Sequence, residues 1–386
     1  MVITALICLT PVISHSIGRS LYGLLLTGIR DDFGLTNAQA GYPGSAIFVL
    51  YVVGVVIVVF VSPRLEPVTI MRAAVVVSVI GLAIATTAQG LASLTLGVAL
   101  VGGAGAGIWM TAPVLATEYI SERRRGMVIG ALTSTIGISN IAFGFATSGW
   151  RRAAADDRLW RPIYGLALGF AALVLIALIT IARFAPTDRI TARGVDFSII
   201  RQIPRWREIT IAYAMFGGMS AGFATFIVAA LEEHGGVAES TSPLIFSLMG
   251  IAGMISAPLA GALSDRIGRL AVLRYTLILL FIANMLVVIG GRPSTIAGAL
   301  LYSAGASTVP TVIAVYVRDS LDSRSFSQAL AIMTILFSIM AAAMPAVVGA
   351  LADVSFAWSY LALAALPVIA LAFLQRSSAE AVTKKA

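Results

Sequence analysis

The sequence predicts an all-α polytopic membrane protein whose twelve transmembrane helices form two pseudo-symmetric six-helix bundles. Three observations point there. The 386 residues are 59% hydrophobic and only 11% charged, against about 25% charged in a soluble domain. Apolar runs of roughly 20 residues recur along the whole chain, the length a helix needs to cross a ~30 Å hydrocarbon layer, and the alternating pattern of barrel strands is absent. A shift of 202 residues aligns Ser62-Pro63-Arg64-Leu65 with Ser264-Asp265-Arg266-Ile267, and Arg72 with Arg274, without a gap. The second half therefore reads as a parallel duplicate of the first, one of the repeat arrangements of secondary transporters.

Taken in order, the spans are expected near 3–28, 40–61, 68–88, 94–117, 126–149, 161–183, 208–231, 241–263, 271–290, 294–317, 326–350 and 356–375. The first lacks a basic leader and a cleavage site and continues past Arg19, so it reads as a retained span rather than a signal peptide. Most connections are short. The long one, Phe184 to Arg207, is rich in arginine and carries Pro186 and Pro204. It divides the chain into an N-terminal bundle (1–183), a cytoplasmic central loop (184–207), a C-terminal bundle (208–375) and a cytoplasmic tail (376–386). Trp150, Trp160, Trp206 and Trp358 fall at expected span ends, where amphipathic rings favour the membrane interface. Trp109 falls inside a span.

Basic residues orient the chain. With both termini cytoplasmic, the inner loops and tail hold 19 of the 26 lysines and arginines. The outer loops hold Arg30, Arg151, Arg152, Arg158, Arg161 and Arg292, and Arg19 is embedded. This bias sets the topology, and the loop from Trp150 to Arg161, with four arginines outside, runs against it. The same loops account for the net charge of +8; no basic stripe interleaved with aromatics marks a nucleic-acid partner. Cys8 is alone and cannot form an internal disulfide. His15 and His234 are too far apart to begin a metal cluster, and no nucleophile–base motif occurs. No enzyme activity, metal or cofactor is expected.

One loop carries a signature. Gly261-Ala-Leu-Ser264-Asp265-Arg266-Ile267-Gly268-Arg269 resembles the G-x-L-x-D-R-x-G-R-[RK] loop of the major facilitator superfamily, departing only at the last place, where Leu270 replaces a basic residue. With the twelve spans and the repeat, the resemblance covers essentially the whole chain. The stretch G-R-S-L-Y-G-L-L-L, followed by R-D-D-F-G-L-T-N-A-Q-A-G, resembles a bacterial subgroup, the YbfB/YjiJ-like proteins. The resemblance implies a multi-pass, monomeric protein of the bacterial inner membrane that moves a small solute by rocking one bundle against the other. It also implies that the loop latches the inner gate. In this role Gly261 and Gly268 allow tight turning, Asp265 meets the start of span 11 near Ser325 to Ser327, and Arg266 and Arg269 bond carboxylates or carbonyls. The first-half copy keeps Arg64, but Pro63 and Pro67 stand where Asp265 and Arg269 stand. Span 4 carries Gly102 to Gly107 with alternating alanines; without a P-loop lysine, Gly103-x-x-x-Gly107 reads as a surface for close helix packing. Span 5 lacks the proline of the G-P-x-x-G motif common in the family's drug–proton antiporters.

The resemblance implies that spans 1, 4, 7 and 10 line a central cavity. Their interior polar and aromatic residues are then the substrate-contact candidates: His15, Arg19 and Tyr22 at helical spacing on one face of span 1; Trp109 and Thr111; Tyr213 and Met219, with Met215 and Ser220; Tyr302 and Ser307, with Ser303 and Thr308. Asn140 and Asn284 read as hydrogen-bond links between helices. An arginine at the depth of Arg19 costs about 3 kcal/mol on insertion scales if left unpaired, so it faces the protein interior or water. It reads either as an anchor for an anion, for which its planar fork is suited, or as a donor to carbonyls of a neighbouring helix. All 18 acidic residues fall in loops or near span ends. A cavity with an arginine and no embedded acid favours a small organic anion, moved by proton symport or exchange. His15, Glu118 or the substrate itself could carry the coupling proton. Export of drugs or metabolites and a non-transporting sensor or assembly role on the same scaffold stand as alternatives.

Overall fold

A computed structural model describes residues 2–118, 120, 125–153, 160–180 and 197–383. Arg123, Arg124, Arg158 and the central loop up to residue 196 lie outside the described residues. Among the described residues, twelve helices are long and apolar enough to cross a membrane. They are α1 (Val2–Phe33), α2 (Asn37–Val61), α3 (Pro67–Thr86), α4 (Leu91–Glu118), α5 (Arg125–Ala153) and α6 (Trp160–Thr180). After a short 3-10 helix, Phe197–Gln202, come α7 (Trp206–His234), α8 (Ser242–Ile267), α9 (Arg269–Ile289), α10 (Arg292–Ser320), α11 (Ser323–Ala352) and α12 (Phe356–Thr383).

Local chemistry sets several of the joints. Gly34, at φ 61°, closes α1 in the left-handed conformation open to glycine. Thr36 and Gln39 then form a reciprocal capping box at the start of α2. Gly268, at φ 93°, makes the sharp break between α8 and α9. Gly261, by contrast, stands inside α8 with open space where a Cβ would be; the expected turn there is not present.

One departure from α-helical geometry matters most. Pro11, which donates no N–H and crowds the preceding turn, is followed by a π-helical run, Val12–Ser20. The wider turn shifts the side-chain register within α1, so the helical spacing expected to put His15, Arg19 and Tyr22 on one face leaves Tyr22 apart: His15 and Arg19 are partly buried and Tyr22 is fully buried. Tyr22 is 1% exposed and its hydroxyl donates to the Ala40 carbonyl at 2.5 Å.

Packing follows the sequence repeat. In the first half α3 lies against α4 and α6, and α1 and α2 lie against α4; in the second, α9 lies against α10 and α12, and α8 against α10. The aligned arginines do matching work. Arg72 Nη2 donates to the Leu178 carbonyl of α6 at 2.7 Å, and Arg274 Nη2 donates to the Leu374 carbonyl of α12 at 3.2 Å. The bundles meet along α2–α11, α5–α8 and α1–α7. Phe60, Leu173 and Ile255 are among the large apolar side chains exposed on the outside, as a lipid-facing surface requires.

The tryptophans divide differently from expectation. Trp150 and Trp358 are exposed at helix ends, but Trp160 is buried, packed edge-on to Phe33 and Tyr164, with Nε1 donating to Asp32 at 3.1 Å. A ring held by a carboxylate and two aromatics is a packing element, whatever its place in the sequence.

Candidate functional site

The mid-span residues of α1 are held by α4, α5 and α2. Gly105 of α4 has Ser14 close enough that an added Cβ would stand 3.3 Å from it. Ser16 donates a short hydrogen bond to Asn140 Oδ1 of α5, the interhelical role expected of Asn140. Between these fixed points, His15 and Arg19 are only partly buried, although α1 is flanked by protein. The His15 ring packs on Trp109 of α4, centroids 4.2 Å apart, and its Nδ1 pairs with Ser14 Oγ at 2.9 Å.

The Arg19 guanidinium lies over the Tyr51 ring of α2, 4.3 Å from its centroid, and 5.4 Å from that of Phe48. Among the described residues, no carboxylate stands within ion-pair distance of Arg19 and none accepts a hydrogen bond from it. The aromatic faces supply the compensation a buried cation needs, while its N–H edge is left available. The C-terminal bundle reaches the same place through Tyr213 of α7. Its hydroxyl is close to Thr334 of α11 and within Coulomb range of Tyr51 and Arg19, and its ring pairs with Phe337 at 5.0 Å. Ile335 of α11 packs against the small cluster of Tyr51, Val55 and Ala106 and also lines a cleft of about 280 Å³ with Ile200, Arg201, Trp206, Ile332 and Leu336.

The other expected contacts lie elsewhere. Thr111 is buried and bonds its own helix at the Gly107 carbonyl, 2.7 Å. Met219 is buried against α9, where Asn284 Nδ2 approaches its sulfur at 3.6 Å. Tyr302 stacks on Phe223, centroids 3.4 Å apart, within the C-terminal bundle. Ser307 faces Gly253 in the α8–α10 contact. Glu118 is exposed at the inner end of α4.

At the break between α8 and α9, Arg269 binds Ser264 Oγ at 2.6 Å, Asp265 at 2.5 Å and Asp319 of α10 at 3.2 Å. These contacts stay within the C-terminal bundle. Asp265 does not cap α11; the Ser325 N–H is capped instead by Asp322 at 2.7 Å. Arg266 and Arg64 are exposed. The opposite ends, expected to be the outer ones, are joined across the bundles. Arg30 pairs with Glu233 at 2.5 Å, Arg151 with Glu232 at 2.5 Å, and the Asp353 carboxylate accepts the Asn37 and Ala38 N–H groups at 2.7 and 3.1 Å.

The family model for the Major Facilitator Superfamily matches residues 12–229 and again 209–386. The chain belongs to this superfamily. Similar solved structures include a bacterial homolog of the human lysosomal transporter Spinster in an inward-facing, unoccupied conformation, with TM-score 0.78 at 15% identity over 97% of this chain and 95% of that one. The nucleoside transporter NupG gives TM-score 0.76 at 12% identity over 97% of this chain and 99% of that one. At these identities the likeness is one of fold. A curated relative, the probable transporter SCO4007 of Streptomyces coelicolor, is 28% identical over 141 residues, 34% of this chain. The match spans 32% of that relative's length.

Within the superfamily fold, Phe48, Tyr51, Thr334 and Phe337 are the residues that sequence reasoning passed over. They lie on α2 and α11, outside the four spans taken as cavity-lining. A signal did exist: Phe48 and Tyr51 are three apart, on one helix face, in a span otherwise dominated by valine and glycine.

Proposed function

We propose that this superfamily member is a secondary active transporter that carries a small organic anion across the bacterial inner membrane by alternating access. The observation that carries the reading is Arg19, held at mid-span over Tyr51 and Phe48 with its N–H edge unengaged. A planar guanidinium in that position is suited to a carboxylate. The ion pairs and helix cap that join the expected outer ends support a state closed on that side, in which the solute reaches Arg19 from inside. Rupture of the outer contacts, with Asp265, Arg266 and Arg269 closing the inner end, gives the opposite state. His15, adjacent to Arg19, is the group we assign to proton symport or exchange. Glu118 is a second candidate, at the inner end of α4.

The test is thermal stabilisation of the purified protein by a panel of carboxylates, amino acids and cationic dyes, repeated with Arg19→Ala. Carboxylates stabilise the wild type and lose their effect in the variant. Stabilisation by cationic dyes, unchanged in Arg19→Ala, contradicts the reading and favours drug efflux, which the aromatic walls would accommodate.

A further inference from the structure

We propose that the anion is an aromatic monocarboxylate, with Arg19 taking its carboxylate and rings from both bundles enclosing its body. This rests on the anion reading above and narrows it. Three features of the site carry the inference.

The first is charge. Among the described residues Arg19 is the one lysine or arginine that stacks on Tyr51 and Phe48, a single cation that pairs with a single carboxylate. No carboxylate stands beside Arg19 to meet an ammonium group, which leaves an amino acid's amine unmatched. The second is geometry. Tyr51 covers the face of the guanidinium, so its donors point outward in the plane of the fork. Two parallel N–H bonds to one carboxylate use that edge, and they align the plane of the ligand's carboxylate with the guanidinium.

The third is the surrounding wall. The His15–Trp109 pair comes from the N-terminal bundle and the Tyr213–Phe337 pair from the C-terminal bundle. Aromatic surfaces favour a further ring, offset or edge-on, over an aliphatic body of the same size. The approach is consistent with this cargo. The cleft beside Trp206 is walled mainly by apolar side chains, shares Ile335 with the cluster that holds Tyr51, and carries Arg201 as a charge that attracts an anion.

The experiment uses the full chain in detergent and three probes: benzoate, cyclohexanecarboxylate (the same charge and a similar size without a π system) and phthalate (a second charge). Affinity is read by calorimetric titration on wild type, Arg19→Ala and Phe337→Leu, with the melting temperature of each unliganded protein as the folding control. Benzoate binds the wild type about threefold to tenfold more tightly than cyclohexanecarboxylate, and phthalate binds more weakly than either. Phe337→Leu brings the first two together while both still bind. Arg19→Ala weakens all three on the order of 100-fold. Equal binding of benzoate and cyclohexanecarboxylate, still dependent on Arg19, overturns the aromatic assignment and leaves the anion reading standing. Binding of the acids that is as tight in Arg19→Ala as in wild type, or no binding of any acid to folded wild type, overturns both. If Arg19→Ala does not fold, Arg19→Gln takes its place, and the Phe337→Leu comparison decides the aromatic assignment on its own.

Discussion

Arg19 and Tyr51 are the pair on which the site depends. Burying a guanidinium at this depth costs about 3 kcal/mol if it stands alone; a partly desolvated cation over an aromatic face recovers about 1–2 kcal/mol. In the proposed function, an anion that binds there offsets the rest of the cost. Arg19→Ala is therefore expected to weaken carboxylate binding on the order of 100-fold, the range seen when one partner of a desolvated charge pair is removed. Arg19→Lys keeps the charge but loses the fork, and should weaken binding about tenfold. Titration of both variants checks the order; equal affinity in wild type and Arg19→Lys would show that the fork is not used. Tyr51→Phe keeps the stacked face and should bind nearly as well as wild type, while Tyr51→Leu should not. The embedded arginine, His15 and Trp109 were legible in the sequence because each is out of place in an apolar span. Tyr22, Met219 and Tyr302 looked equivalent to them, but polarity along a span does not say which side of the helix faces the cavity. The π-helical run after Pro11 made that question unanswerable by spacing for α1.

At the scale of elements, a second π-helical turn, Ala230–His234 at the end of α7, accompanies the outer seal. It presents the consecutive Glu232 and Glu233 to Arg151 and Arg30, respectively. Those pairs give Arg151 and Arg30, two of the six arginines expected outside, a carboxylate partner each. Arg151 also donates to Thr27 at 2.7 Å, and Arg161 pairs with Asp32 at 3.3 Å. Asp353 adds a negative charge at the positive end of α2 from the opposite bundle. Removing these contacts should favour separation of the outer ends. Spin labels placed on the outer ends of α1 and α7 are expected to report a longer distance in Asp353→Asn combined with Glu233→Gln than in wild type. Gly23 gives an independent handle, because the Ala224 backbone of α7 leaves no room for a Cβ there. Gly23→Ala should lengthen the same distance without altering any charge. An unchanged distance in both variants would mean that these contacts do not hold the outer end closed.

At the scale of the molecule, the duplication was legible from one loop and one arginine, and the packing extends it. Arg72 and Arg274, 202 residues apart, each reach a carbonyl of the last helix in their own half. Hydrogen bonds from charged donors contribute roughly 1.5–3 kcal/mol, so Arg72→Ala and Arg274→Ala should each lower the melting temperature, to a similar degree. Span number, order and the break between halves followed from hydropathy because a bilayer forces every backbone group to be satisfied within a helix. The inner latch was less legible. The loop that carries it stood out as a motif, but in the structure Asp265 pairs with Arg269 and Asp322 caps α11, a choice of partner that the motif does not specify.

The central claim is that an anion crosses by way of Arg19. Solute counterflow in proteoliposomes tests it most directly, with unlabelled benzoate loaded inside and labelled benzoate supplied outside. Wild type should accumulate label transiently above equilibrium, and Arg19→Ala, reconstituted in equal amount, should remain at the level of empty liposomes. Accumulation by Arg19→Ala at the wild-type rate would contradict the account.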